Sequence, residues 1–116
     1  MDRTQYRINL EYRASVRAQM LAIAKQFLGE KLGLVQTARE LLQFRDGVEP
    51  EIGTLLDVFV GIHSETDALP IGNERVLWNL QALEVEDRKI AAAELQWHGR
   101  ANDAARQLVK LIETTP

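Results

Sequence analysis

The stretch Leu55-Leu56-Asp57-Val58-Phe59-Val60-Gly61-Ile62 decides the fold of this 116-residue chain. Its β-branched side chains suit a buried strand, where they pack well on a pleated surface. Ile52, Leu55, Leu56, Phe59 and Ile62 also fit the period of a helix. Upstream lies Glu49-Pro50-Glu51, a helix start. Proline costs nothing in a first turn, and acids favour the positive end of the helix dipole. The helix is therefore the preferred reading. It sets Gly53, Asp57 and Gly61 on one face, and two glycines on one stripe admit a closely packed helix. Asp57 is a lone acid among apolar neighbours, costly if buried unpaired. An ion pair with Arg75 or with an arginine of the first helix is expected.

The flanking sequence supports helices throughout. Ile8, Tyr12, Val16, Met20, Ile23 and Phe27 recur at steps of four and three, predicting a first helix from about Thr4 to Leu28, with Gly29 as its left-handed cap. A second helix is expected over about 32–44, with Leu34, Ala38, Leu41 and Leu42 inward and Asp46-Gly47 as the turn after it. Residues 64–73 read as the longest non-helical stretch. Asn73 reads as the N-cap of a short helix to Trp78, and Asn79 as a second cap. Ile90, Glu94, Trp97, Ala101, Ala104, Leu108 and Leu111 predict a last helix to about Glu113; the acids Glu84, Glu86 and Asp87 allow a break near its start. The expectation is an all-α, antiparallel bundle of four to five helices forming one domain over residues 1–116.

Composition narrows the function classes. The chain is 46% apolar, has no cysteine, and carries 14 basic against 17 acidic residues for a net charge of −3. Disulfides, thiolate metal sites and a cysteine nucleophile are excluded. A general nucleic-acid binder would be basic, so no nucleic-acid partner is expected. No apolar run approaches the roughly 20 residues of a membrane-spanning helix, and the first residues lack the pattern of an export signal. A cytoplasmic protein without a membrane partner is expected.

The charge is unevenly distributed. Residues 1–45 hold eight basic and four acidic side chains, and 75–116 hold six of each. Residues 46–74 hold seven acids (Asp46, Glu49, Glu51, Asp57, Glu65, Asp67 and Glu74) and no Lys or Arg. Such a block either attracts a basic partner or is neutralised inside the fold by Arg3, Arg7, Arg13 and Arg17.

Residues 63–78 form the candidate site, with His63, Ser64, Glu65, Thr66, Asp67, Pro70, Gly72, Arg75 and Trp78. Structurally, Arg75 would pair with Glu65 or Asp67, and Trp78 would close over Leu69 and Pro70 with its indole N–H on a carbonyl. Functionally, exposed Trp and Arg anchor interfaces. The pattern Ser64-Glu65-Thr66-Asp67-x-Leu69-Pro70-x-Gly72-x-x-Arg75-x-x-Trp78 resembles a signature of a group of small uncharacterised bacterial proteins. Gly33-Leu34-Val35 and Ile90-Ala91-x-x-Glu94-x-x-Trp97 are similar to the same group, so the resemblance spans most of the chain. It implies no activity, only that residues 64–78 are a characteristic part.

Tests for chemistry favour binding over catalysis. His63-x-Glu65-x-Asp67, with Asp57, is the best spacing for a metal, and a solvated or capping histidine is the preferred reading. No catalytic pair with an oxyanion site and no phosphate loop is present, so no catalytic residue, metal or cofactor is expected. The expected function is a binding protein acting through Glu49, Glu51, His63, Glu65, Asp67, Glu74, Arg75 and Trp78 on a protein partner of basic character, in a specific version a toxin-neutralising (immunity-type) protein. Two alternatives remain. One is an enzyme or small-ligand protein with a pocket at the 63–78 loop. The other is a homodimer, for which Tyr6, Leu10 and Leu21 are surplus apolar positions on the first helix.

Overall fold

The computed structural model describes residues 3–114, with side chains from residue 10 onward. The side chains of the expected apolar Ile8, of the surplus Tyr6 and of Arg3 and Arg7 lie outside the described part of the structure. Four α-helices follow one another: α1 (Arg3–Leu28), α2 (Leu34–Leu42), α3 (Pro50–Thr66) and α4 (Leu80–Thr114). Two 3-10 turns, Arg45–Gly47 and Gly72–Leu77, lie between them. The decisive stretch is helical, and no strand occurs among the described residues. Helix α3 packs against both α2 and α4, and α1 covers α4 and α2. Gly61 faces Trp97 while Leu55 shares a groove with Leu111, so α3 and α4 run antiparallel.

The core follows the predicted stripes. Val16, Met20, Ala24 and Phe27 meet Leu34, Ala38 and Leu41, then Ile52, Leu56, Phe59 and Ile62, then Ala101, Ala104, Ala105 and Leu108. Each fully buried large side chain, such as Phe59 or Leu56, contributes on the order of 2 kcal/mol by leaving water. The alanines of α4 let its backbone approach the other helices. Tyr12, expected inward, is exposed; its ring lies against Gly47.

Several boundaries moved, each for a local reason. Helix α1 ends in a paired motif: Lys31 N–H donates to the Gln26 carbonyl at 2.8 Å and Glu30 N–H to Phe27 at 3.0 Å. The left-handed residue is Glu30, at φ 61°, one position beyond the expected Gly29. Helix α3 runs through His63 and Ser64 to Thr66, which shortens the expected 64–73 loop. The Thr66 hydroxyl donates to the Ile62 carbonyl at 2.6 Å. Asn73 caps nothing. Instead the Glu74 carboxylate accepts the Ile71 N–H at 2.8 Å to start the 3-10 turn, and Gly72 supplies a φ of 58° that favours glycine. Asn79 does cap α4, accepting the Ala82 N–H at 2.8 Å. That helix is unbroken for 35 residues, so the acids at 84–87 lie beyond its first turn and mark no separate helix start. No helix among the described residues is long and apolar enough to cross a membrane.

Asp57 and the glycine face also differ from expectation. Asp57 is exposed and, among the described residues, has no cationic partner; its position on the outer side of α3 makes one unnecessary. Of the two glycines, only Gly61 meets a neighbour, and that neighbour is the Trp97 indole rather than a helix backbone.

Candidate binding surface

One side chain of α2 organises the connection from α3 to α4. The last carbonyls of a helix have no partners within it. Arg39 supplies them. Its Nη2 donates to the carbonyls of Thr66 at 3.2 Å, Asp67 at 3.1 Å and Leu69 at 2.7 Å. Its Nη1 meets the Glu74 carboxylate at 2.9 Å. The Ile71 N–H on Glu74, followed by the Arg39 guanidinium, holds that carboxyl below the usual carboxylate range.

A second clamp ties the connection to α4. Arg75 forms a fork with Asp87 at 2.6 and 2.9 Å, and also reaches the Pro70 carbonyl at 3.3 Å. The hydrogen bonds from Arg75 lower the Asp87 carboxyl and raise the Arg75 guanidinium. This corrects the expected pairing of Arg75 with Glu65 or Asp67. Those acids belong to the end of α3, whereas the 3-10 turn carries Arg75 to α4.

The expected site residues are thus spread over several tasks. Glu49, at the start of α3, meets Arg17 at 2.6 Å. Burial raises its carboxyl, but its backbone hydrogen bond, Arg17 and Arg13 outweigh that and leave it lowered. Part of the acidic block is therefore neutralised within the fold, by Arg17 and by Arg39. Glu65 accepts the Trp97 Nε1–H at 2.7 Å, and the Arg100 guanidinium stacks 4.0 Å from the Trp97 ring centre. Asp46, Glu51, Asp57 and Asp67 stay exposed, without ion-pair partners among the described residues.

His63 is half-buried, and its buried Nδ1 has no hydrogen-bond partner. Residues 63 and 65 are helical, so they diverge by about 200° around the axis. Among the described residues no group of three His, Asp or Glu side chains is gathered to hold a metal ion. An open cleft of about 260 Å³ between the start of α2 and α4 is lined by Val35, Ile71, Gly72, Arg75, Asp87 and Ile90. Of His63, Glu65, Asp67 and Arg75, the polar residues that a pocket at the 63–78 loop would use, only Arg75 touches it, and the Asp87 fork occupies that residue.

Immediately after the clamps the chain turns apolar side chains outward. Val76 is 84% exposed, Leu77 85%, Trp78 38% and Leu80 80%. The Trp78 indole N–H, expected on a carbonyl, makes no hydrogen bond among the described residues, while Leu69 and Pro70 are buried. Arg39, Asp87, Trp97 and, from this apolar edge, Val76, Leu77 and Leu80 are absent from the site residues expected from sequence, which did include Trp78. Only the edge left a signal there, the run Val76-Leu77-Trp78 between two asparagines. No protein-family model, curated protein or solved structure matches this chain.

Proposed function

We propose that this chain is a small protein-binding module whose docking element is the edge Val76-Leu77-Trp78-Asn79-Leu80. One observation carries the reading: two ion-pair clamps order a segment that displays four apolar side chains to solvent. Exposed apolar side chains gathered in one place mark interaction sites, and an ordered segment loses little entropy on docking. Tryptophan is among the residues most enriched as interface anchors.

A photo-crosslinking amino acid at position 77, used in living cells, tests this. A protein adduct of defined mass is expected from position 77 and not from the exposed Arg106 position on α4. Absence of any adduct at 77 overturns the reading.

The finer version, a toxin-neutralising protein, is favoured by the outward acids Asp46, Glu51, Asp57 and Asp67, whose charges no ion pair cancels among the described residues. A captured basic partner should then associate much more slowly as salt is raised. A rate indifferent to salt removes that version.

A further inference from the structure

Helix α4 extends past the end of α3. Its Trp97 already meets Gly61 and Glu65 in the last turns of α3. The turns from Leu80 to about Ala92 continue past that end for roughly 20 Å. Leu80, Glu84, Arg88, Ala91 and Leu95 follow 4-4-3-4 spacing there, which is one helix face, and all five are exposed. Leu95 is 88% exposed. The neighbouring charges are engaged elsewhere, Asp87 with Arg75 and Glu86 with Lys89. Glu84 and Arg88 have no ion-pair partner among the described residues.

From this pattern we infer that a second copy of the chain docks along this face, α4 against α4 in antiparallel orientation, with the two-fold axis at the level of Glu86. A two-fold interface must complement itself, and the Glu84 and Arg88 positions of this stripe do. The axis sets Glu84 of each copy opposite Arg88 of the other, giving two reciprocal ion pairs. It sets Gln81 opposite Ala91, whose small side chain permits close approach, and brings the Leu77–Leu80 end beside Leu95. Opposite charges at matched positions fix register and orientation in paired helices. The inference rests on the binding reading above and names the occupant of that edge.

Sedimentation of the purified full chain tests it. Dimers are expected to dominate at about 100 µM, a concentration that fills any interface of micromolar affinity. Glu84→Arg and Arg88→Glu should each shift the sample to monomer at least tenfold more readily, with unchanged circular dichroism. The double exchange Glu84→Arg/Arg88→Glu should restore the dimer. A wild-type monomer at that concentration, single reversals that sediment like wild type, or a double exchange that stays monomeric each overturns the inference. The crosslink at position 77 separates the two readings. A self-adduct supports both, and an adduct with another protein keeps the binding reading and removes the second copy.

Discussion

Gly61 lies so close beneath the indole of Trp97 that a Cβ built on it would sit 2.7 Å from Cη2. The ring cannot easily retreat, because Glu65 holds its Nε1–H and Arg100 covers its face. Gly61→Ala gains about 1 kcal/mol of helix propensity and meets an overpacking cost of about 1–3 kcal/mol. A net loss of about 1 kcal/mol is expected. Gly53, on the same helix, has nothing within 4 Å of such a Cβ, so Gly53→Ala should stabilise by about 0.5–1 kcal/mol. Urea unfolding of the two variants should move in opposite directions; the same direction for both refutes the packing argument.

Glu30 occupies the left-handed cap of α1 at φ 61°, a conformation that costs an ordinary residue about 1 kcal/mol. Glu30→Gly should raise stability by about 0.5–1 kcal/mol despite the added freedom of the unfolded chain. A fall in the thermal midpoint would show that the Glu30 side chain matters more than its backbone.

Removing the Arg39 guanidinium leaves the Asp67 and Leu69 carbonyls without their donor and the Thr66 carbonyl with only the Leu69 N–H. Arg39→Ala should cost about 2–3 kcal/mol, in the range for hydrogen bonds to a charged group. Amide exchange should speed up first over residues 66–75. Arg39→Lys should recover only part, since an ammonium lacks the planar fork. Full recovery with lysine would reduce Arg39 to a point charge.

Both carboxyls of the clamps are lowered in the folded chain, Asp87 by Arg75 and Glu74 by the Ile71 N–H and Arg39. A depressed folded value adds stability that is complete above the unfolded values, about 3.9 for Asp and 4.3 for Glu. That stability is lost as pH falls through the folded ones. The edge at 76–80 should therefore stay ordered near neutrality and loosen below about pH 4. Amide exchange of residues 71–79 checks this; rates unchanged down to about pH 3 would contradict it. Asp87→Asn should weaken the Arg75 clamp at neutral pH and flatten that part of the dependence.

The helical class, the stripes of α1 and α3 and the Asn79 cap were legible because each depends on residues within a few positions of one another. Val16, Met20 and Phe27 announce one face, and Asn79 needs only Ala82. The fate of the 63–78 segment was not legible in this way. Arg39 reaches it from α2, and Asp87 holds it from α4. Nothing in the local pattern distinguishes those two charges from solvated ones.

By itself, then, the sequence determined an all-α bundle, its inward faces and an uneven charge, because amphipathic period and capping are short-range properties of a chain. Only the tertiary structure decided which charges cancel. Opposite charges approach within hydrogen-bond distance only after the helices have packed, so Glu49, Glu74 and Asp87 found arginines while Glu51, Asp57 and Asp67 were left outside. The same packing, ending α3 before α4 does, left Val76, Leu77 and Leu80 in water.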